Sequence, residues 1–359
     1  MKKIFFHMLF LPFFMVVEIV NWLSILADEI LFPSYKKIIV RSPLYITGMP
    51  RTATTFFHNL INQDKERFTT MKLWEIAFAP SVCQKKFWIF IRKVDRMVNN
   101  PMVKTARYFE RRLLKGFNHF HQLSLFNIEE DEYLFIHNFS SGLLIFFLPV
   151  IKFIHKISSV EKNRSVRKPT LRFYNRCIKK HLYVFGKNKT YLAKSPAHIL
   201  RYHLLKELFP DLRMIYMLRI PHHSIPSTIS LFQNFNRIFY ARINDRDIIN
   251  HTLAMAVTSF GYLMELDRPE NDPTFITLKF EEFVKNPELA IHNIYKFFHL
   301  NLASKLDAKM RSYSSQQSSF KSKHKYSLEE YGLSKNMIID RYTSIYENFY
   351  EHEISSVQT

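Results

Sequence analysis

Four short apolar runs along the chain have the length and composition of buried β-strands. Each is followed by a stretch with helical spacing, such as the leucines that recur every four residues at Leu200, Leu204 and Leu208. Strands that alternate with helices are typical of a parallel α/β sheet. The pattern therefore predicts an α/β fold with a central parallel sheet flanked by helices. The predicted strands are residues 42–48, 189–195, 213–219 and 274–280.

The stretch between the first two predicted strands is long and has a mostly helical pattern. Residues from about 70 to 185 show no clear strand, so we interpret them as a large helical insertion that roofs one end of the sheet. Residues 311–327 are polar and basic, which favours a long loop over the site. The predicted organisation is an N-terminal helical segment at 1–40 and one domain at 41–359, with its C-terminal loop and helix at about 311–359.

The N-terminal segment is apolar but carries polar interruptions. Two lysines precede the apolar run, and Glu18, Asn21 and Asp28 interrupt its second half. An interfacial or membrane-inserted helix, a packing helix and a cleaved signal peptide all remain open, and the lack of a small-residue cleavage site favours retention. We expect residues 4–31 to associate with the cytoplasmic face of a membrane.

The chain is strongly basic. In 359 residues, 51 Lys and Arg stand against 31 Asp and Glu, which gives a formal net charge of +20. Such a charge favours anionic partners: a phosphorylated ligand, an acidic membrane surface or nucleic acid. Two cysteines are too few for a disulfide framework, which indicates a reducing, cytoplasmic compartment.

A phosphate-binding turn is indicated by "GMPRTATTFF", residues 48–57, directly after the first predicted strand. A Walker loop reads G-x-x-x-x-G-K-[ST], and here Ala53 stands at its second glycine and Thr54 at its lysine. Pro50 donates no amide, but residues 51–55 do, and a helix that starts near Thr54 directs its positive end at an anion. The turn therefore predicts a phosphate site that does not suit a nucleoside triphosphate with magnesium.

Basic and hydroxyl side chains follow the other predicted strands. Lys194 ends the second strand, Arg219 ends the third, and Ser227 lies eight residues further on in the next helix. Ligands of open parallel sheets bind beyond the carboxyl ends of the strands, so these groups should meet at one edge. An arginine fork and a serine hydroxyl are suited to hold one phosphate from two sides.

Together these motifs resemble the sulfotransferases that use 3′-phosphoadenosine 5′-phosphosulfate (PAPS), and most closely the bacterial-type branch whose loop reads roughly G-x-P-R-S-G-T-T. The resemblance covers nearly the whole chain. It implies a P-loop-like three-layer fold, PAPS as sulfuryl donor and transfer to a hydroxyl group. It rests on the segments "SPLYITGMPRTATTFFHNL", "LWEIAFAPS", "EEDEYLF", "KSPAHIL", "FPDLRMIYMLRIP", "FEEFVKNPELAI" and "HKYSLEEYGLS".

The resemblance also assigns roles to individual residues. The loop would hold the 5′-phosphosulfate, and Arg219 with Ser227 would hold the 3′-phosphate. Lys194 would lie near the transferring group and, with Arg51, would place positive charge on the departing oxygen. The loop residues that the resemblance implies in cofactor binding are Pro50, Arg51, Thr52, Ala53, Thr54 and Thr55.

Two departures from the family pattern bear on cofactor binding. Thr52 and Ala53 stand where the family usually has Ser and Gly, and a positive φ at Ala53 would cost roughly 1 kcal/mol. The third basic phosphate-binding segment of the eukaryotic cytosolic enzymes has no clear match. Lys321, Lys323 and Lys325 could replace it or form a solvated basic loop.

Sulfuryl transfer also needs a base for the incoming hydroxyl, and it does not require a metal ion. The resemblance implies a histidine or glutamate, which we seek in "FNHFHQLSLFNIEEDEYLF", residues 117–135. His121 precedes an acidic cluster and ranks first, and Glu130 ranks second. The remaining candidates are His119, Glu129 and Asp131.

The helical insertion is rich in phenylalanine, which suits an apolar or lipid-linked acceptor but equally an ordinary core. Two other functions remain open. A P-loop phosphoryl transferase would need a lysine beside Thr55 and a magnesium-binding acid, and neither is evident. A catalytically inactive scaffold could bind a membrane or, as the less favoured partner, nucleic acid through its positive charge.

Overall fold

A computed structural model of the chain provides the secondary structure, burial and contacts of most residues. The residues it describes are 2–113, 123–144, 164–239, 241, 243–267, 273–302, 306–312 and 327–358.

The described residues form a five-stranded sheet. Its strands are β1 (Leu44–Gly48), β2 (Phe68–Thr69), β3 (Thr190–Lys194), β4 (Arg213–Leu218) and β5 (Phe275–Lys279). The order is β2-β3-β1-β4-β5, and β1 pairs in parallel with both β3 and β4. The α/β fold with a central parallel sheet is confirmed, and each predicted strand is found within two residues of its expected bounds. β2 was not predicted, because two residues are too few to show a periodic pattern.

Helices occupy most of the described residues outside the strands. They are α1 (Lys2–Leu31), α2 (Thr54–Ile61), α3 (Leu73–Phe78), α4 (Val82–Met97), α5 (Pro101–Leu113), α6 (Arg164–Phe185), α7 (Tyr202–Leu208), α8 (Pro221–Ile238), α9 (Asp245–Leu266), α10 (Phe280–Lys285), α11 (Pro287–Phe297), α12 (Lys335–Arg341), α13 (Thr343–Phe349) and α14 (Glu351–Gln358). Short 3-10 helices lie at Pro33–Lys37, Asp131–Ile136, Pro196–Arg201 and Glu329–Tyr331.

The chain divides into two compact units. Unit 1 comprises Met1–Arg41, Thr69–Tyr191 and Asn234–Arg242. Unit 2 comprises Ser42–Phe68, Leu192–Gln233 and Ile243–Thr359. The predicted insertion falls in unit 1 together with the N-terminal segment. The predicted division into a segment at 1–40 and a domain at 41–359 stays a prediction.

Unit 2 has an apolar core built on the sheet. Ile46 of β1 and Ile215 of β4 are fully buried, as expected for parallel strands, whose continuous apolar runs are covered on both faces. Phe57 and Leu60 of α2 pack into this cluster with Phe283 of α10. Because α2 is anchored by this packing, the turn that precedes it has a defined position relative to the strand ends.

Unit 1 holds buried polar pairs that connect its helices. The Asp28 carboxylate of α1 lies 3.0 Å from the Lys180 ammonium of α6, and both side chains are almost fully buried. Between α3 and α6, Nδ1 of His181 lies 2.8 Å from a carboxylate oxygen of Glu75. A buried charge is costly unless it is paired, so these contacts fix which faces of the helices meet.

The C-terminal part differs from the single loop and helix that the sequence predicts. Residues 306–312 are helical, so the predicted loop does not begin at 311, and residues 313–326 lie outside the described part. Three short helices then replace the one expected. The chain turns at Tyr342 and Tyr350, whose buried hydroxyls donate to the Leu253 carbonyl and to the Glu281 carboxylate.

The N-terminal helix contains a segment whose length and composition would allow it to cross a membrane. Among the described residues this applies to Phe10–Leu31, with a mean hydropathy of 1.9. A signal sequence or a core helix can meet the same criterion. The alternatives for the N-terminus therefore remain those given by the sequence.

Candidate functional site

The turn between β1 and α2 begins at a position that only glycine can occupy. Gly48 has φ +139°, and a Cβ there would lie 2.3 Å from the Met217 carbonyl oxygen of the neighbouring strand β4. The conformation and the close approach of the two backbones both require the missing side chain. Gly48 therefore lets β1 bend while it stays paired with β4.

Two left-handed residues give the turn its shape. Arg51 has φ 67° and Ala53 has φ 63°, although neither is a glycine. The Thr52 hydroxyl donates to the Met49 carbonyl at 2.7 Å, so this side chain closes the turn from inside. The positive φ considered for Ala53 in the sequence analysis is therefore present, and this backbone conformation disfavours alanine.

Helix α2 starts directly after this turn. Ala53 precedes it in the N-cap position and offers no side-chain acceptor to the first amides. Thr54 is buried, whereas Thr55 is exposed at the start of the helix. An N-terminus of this kind presents backbone donors and a positive partial charge, which suits an anion such as phosphate.

The third strand end contacts the same turn. Nη1 of Arg219 donates to the Arg51 carbonyl at 2.9 Å, and Nε of Arg51 donates to the Ser227 hydroxyl at 3.2 Å. The Thr228 hydroxyl donates to the Pro50 carbonyl at 3.2 Å. Unit 2 thus brings together the loop, the arginine and the serine that the sequence selected separately.

The Arg51 side chain lies beside groups that the resemblance assigns to the 3′-phosphate. The resemblance places Arg51 on the 5′ side of the nucleotide, yet its guanidinium contacts Ser227, which the resemblance places on the 3′ side. Its backbone carbonyl accepts from Arg219, the other residue of that pair. Arg51 is therefore close to both predicted phosphate-binding groups.

Lys194 reaches the loop from the neighbouring strand. It is the last residue of β3, which pairs with β1, and its Nζ donates to the Thr55 hydroxyl at 3.2 Å. Only 1% of its surface is exposed. A lysine ammonium at the start of α2 adds a full positive charge to the partial charge of the helix end.

The Arg219 guanidinium packs on an aromatic ring that the sequence did not single out. Its guanidinium lies over the Phe280 ring, 4.5 Å from the centroid. The Glu281 carboxylate accepts from the Ile220 amide at 3.3 Å and from the Tyr350 hydroxyl at 3.0 Å. Phe280 could have been found as the aromatic residue that directly follows the next strand, β5.

Two adjacent histidines follow Arg219 at the start of α8. Burial lowers the pKa of His222 to about 4, and Nδ1 of its ring shares a 2.7 Å hydrogen bond with the Tyr346 hydroxyl. Desolvation and the nearby Arg219 charge also lower the pKa of His223. Both rings are therefore neutral at pH 7, and they add no positive charge to the strand end.

The candidates for the base have separate outcomes. His119 and His121 lie outside the described residues, as do Lys321, Lys323 and Lys325. Glu130 is partly buried in unit 1 and precedes the 3-10 helix at Asp131–Ile136. Within that unit, Asp131 is 1% exposed and accepts from the Tyr191 hydroxyl at 3.0 Å, and Tyr174 also donates to it. Asp131 therefore has a structural role, and Glu130 remains the more accessible acid.

Replacing Ala53 with glycine should stabilise the protein by roughly 0.5 to 1 kcal/mol, because glycine adopts φ 63° without a Cβ penalty. Thermal unfolding would show this as a higher melting temperature. Ala254, exposed inside α9, is a matched control, since its replacement with glycine should cost about 1 kcal/mol. Equal losses in both variants would contradict the assigned strain.

Comparisons with known proteins show what the chain is similar to. A family model described as "Sulfotransferase family" matches residues 43–304. The curated relatives include the omega-hydroxy-beta-dihydromenaquinone-9 sulfotransferase Stf3 of Mycobacterium bovis and that of Mycobacterium tuberculosis, each 26% identical over 271 residues. Each alignment covers 74% of this chain and 64% of the relative, so the chain spans less than two thirds of their length.

Solved structures of similar fold were also found. The crystal structure of sulfotransferase STF9 from Mycobacterium avium has a TM-score of 0.70 at 17% identity, and covers 91% of this chain and 81% of that one. The crystal structure of sulfotransferase STF1 from Mycobacterium tuberculosis H37Rv has a TM-score of 0.69 at 18% identity, and the match covers 92% of this chain and 84% of that one. At these identities the likeness shows a shared fold.

Proposed function

Since this chain belongs to the sulfotransferase family, we propose that it transfers a sulfuryl group from PAPS to a hydroxyl group of a lipid-like acceptor. The observation that carries the proposal is the convergence of loop and strand ends in unit 2. There the Arg219 guanidinium donates to the Arg51 carbonyl, and the Arg51 guanidinium donates to the Ser227 hydroxyl, beside the start of α2. These donors and charges suit a ligand with two phosphate groups.

The proposed donor site divides into two parts. Amides of the 51–55 loop and the positive end of α2 would hold the 5′-phosphosulfate. Arg219 and Ser227 would hold the 3′-phosphate, as the family resemblance implies. Arg51, which contacts Ser227 through its side chain and Arg219 through its carbonyl, would set the distance between the two parts.

The proposed transfer depends on charge at the start of α2. PAPS supplies a sulfuryl group that is already activated by its bond to phosphate. Lys194, whose Nζ lies 3.2 Å from the Thr55 hydroxyl, would stabilise negative charge on the departing phosphate oxygen. A base, His121 or Glu130, would take the proton of the acceptor hydroxyl as its oxygen forms the new bond to sulfur.

The acceptor and its location extend the proposal. The names of the curated relatives describe a sulfotransferase for a hydroxylated menaquinone derivative, and a lipid-like alcohol is the corresponding acceptor class for this chain. Such an acceptor would reside in a bilayer. We therefore place the enzyme at the cytoplasmic face of a membrane, with unit 1 as the candidate for contact.

The proposal is tested by calorimetric titration of the full chain with 3′-phosphoadenosine 5′-phosphate, the product nucleotide, and separately with ATP and magnesium. We expect micromolar affinity for the bisphosphate, much weaker binding of ATP, and transfer of radiolabelled sulfate from PAPS into bacterial lipid extracts. A preference for ATP with magnesium would support a phosphoryl transferase instead. Bisphosphate binding without transfer to any extract would support an inactive scaffold.

A further inference from the structure

Helix α1 has an unusual distribution of side chains. Its buried stripe contains Glu18, Asn21, Ile25 and Asp28, so three of these four inward positions are polar. Their spacing of three or four residues places them on one face of the helix. A helix that packs only through apolar contacts would show the reverse pattern, with polar residues facing outward.

The inward polar residues hold α1 in unit 1. Asp28 accepts from the Val82 and Cys83 amides at the start of α4, at 2.7 and 2.9 Å, and pairs with Lys180 of α6. Glu18 lies 2.8 Å from Nδ1 of His137. Withdrawing α1 into a bilayer would expose these polar groups to hydrocarbon and leave Lys180 buried without its partner. The contacts therefore favour a helix that stays on unit 1.

The outward face of α1 is apolar among the described side chains between Met8 and Leu31. Many of its large side chains are more than half exposed, with Ile30 reaching 81%. The exposed members are Met8, Leu11, Phe13, Met15, Val16, Ile19, Val20, Trp22, Leu23, Leu26, Ile30 and Leu31. Contiguous apolar surface of this extent marks a contact with another protein or with a membrane.

The neighbouring helices in unit 1 also expose apolar side chains. In α4, Phe87, Phe90, Val94 and Met97 recur at helical spacing and are exposed, with Phe90 at 62% and Met97 at 84%. Helix α5 adds exposed aromatic side chains. We define the docking face as the exposed apolar residues of α1 with Phe87, Trp88, Phe90, Val94, Met97, Met102, Tyr108 and Phe109.

Basic residues surround the apolar part of the docking face. Residues 82–113, which span α4 and α5, contain nine Lys and Arg but two Asp and Glu, and one base, Lys85, and one acid, Asp95, are buried. The exposed Lys93 and Arg96 directly precede the exposed Val94 and Met97, and Lys104 is exposed on α5. Aromatic and basic side chains mixed in this way match the headgroup region of an anionic bilayer.

We propose that the docking face of unit 1 seats the protein on an anionic lipid bilayer, with α1 lying along the surface. The aromatic and aliphatic side chains enter the interfacial region, and the basic residues bind lipid phosphates. The inference deepens the proposed function and rests on its lipid-like acceptor, because a protein held at the bilayer meets such an acceptor where it resides.

The test is co-sedimentation of the full chain with vesicles of phosphatidylcholine alone or mixed with phosphatidylglycerol. We expect the protein to pellet with the anionic vesicles and to be released by salt or by an alkaline wash. The double variant Leu23→Asp, Phe90→Asp should lower vesicle affinity by at least roughly tenfold, since both residues are exposed and a charge there opposes insertion. The charge variant Lys93→Glu, Arg96→Glu should lower the affinity for the anionic vesicles more than the affinity for the neutral phosphatidylcholine vesicles.

Matched controls make the outcome specific. Leu289, 55% exposed on α11 of unit 2, serves for the apolar variant as Leu289→Asp, and the exposed Lys309 serves for the charge variant as Lys309→Glu. Both should bind vesicles like the wild type. Equal binding by docking-face and control variants would overturn the proposal, as would resistance to the alkaline wash, which indicates a spanning helix.

A second protein copy is the competing occupant of the docking face. In that case light scattering would give the mass of a dimer for the wild type and of a monomer for the Leu23→Asp, Phe90→Asp variant. If, in addition, neither protein bound vesicles, the proposal would be overturned. Titration with 3′-phosphoadenosine 5′-phosphate runs in parallel on every variant. Unchanged nucleotide binding in a vesicle-defective variant separates failure of docking from failure of the proposed function.

Discussion

Replacing Arg219 with alanine should lower the affinity for 3′-phosphoadenosine 5′-phosphate by at least roughly a hundredfold. Hydrogen bonds to charged groups contribute about 1.5 to 3 kcal/mol each, and an arginine fork makes two with one phosphate. The replacement also removes the donor to the Arg51 carbonyl and the group stacked on Phe280, so the turn loses a contact that shapes it. Calorimetric titration measures the change directly.

Two further variants control the Arg219 experiment. Arg219→Lys keeps the charge but loses the planar fork, so its affinity should fall between the wild type and the alanine variant. Arg246→Ala removes an exposed arginine from α9 and should bind like the wild type. Wild-type affinity in a folded Arg219→Ala protein would show that the third strand end does not contact the nucleotide.

Replacing Lys180 with methionine should lower the free energy of unfolding by about 3 to 5 kcal/mol, the usual cost of leaving a buried charge without its partner. The Lys180 ammonium lies 3.0 Å from Asp28, donates to the Ile25 carbonyl at 3.2 Å, and lies over the Tyr35 ring. Its loss leaves the buried Asp28 carboxylate without its cation, although the two amides of α4 still donate to it. Chemical denaturation followed by circular dichroism would report the difference.

The surface pair between Lys36 and Glu29 provides the control for Lys180. Its atoms lie 2.7 Å apart, but half of the Lys36 side chain is exposed, so Lys36→Met should cost less than about 1 kcal/mol. The double variant Asp28→Asn, Lys180→Met should recover part of the loss, because asparagine still accepts from α4 without a charge. Equal effects of Lys36→Met and Lys180→Met would show that burial is not the cause.

The main strands of the sheet were predictable because their residues are mostly apolar, with charged residues only at their ends. Segments such as "RMIYML" do not alternate apolar with polar residues, so neither side of the strand is suited to face water. This pattern indicates a strand that is covered on both sides. The positions of Lys194 and Arg219 at strand ends followed from the same pattern. The order of the strands was not predicted, since it depends on pairing between residues that are far apart in the sequence.

The direction of side chains in the loop could not be predicted. The sequence showed an arginine at 51 and threonines at 52, 54 and 55, but φ values of 67° and 63° at Arg51 and Ala53 decide where each side chain points. Alanine and arginine rarely adopt this conformation, so local preference gives no warning of it. The contact from Arg51 to Ser227 follows from that backbone, as does the inward hydroxyl of Thr52.

The N-terminal helix shows a similar limit. The sequence revealed that polar residues interrupt the apolar run, yet it did not show that they face inward. Their orientation depends on Lys180 and on the start of α4, which are distant partners that a local pattern does not include. Phe280 was missed although it directly follows β5, because its contact with Arg219 depends on the pairing of β4 with β5.

The inward polar stripe of α1 also determines how the protein can be produced. Deleting the apolar N-terminus to improve yield would remove Asp28, which accepts from the first amides of α4. It would also leave the charged Lys180 buried without its partner. The better route keeps the helix and exchanges outward side chains such as Leu26 or Ile30 for serine. Detergent added during purification should cover that same side, so crystals are expected to form through the remaining surface.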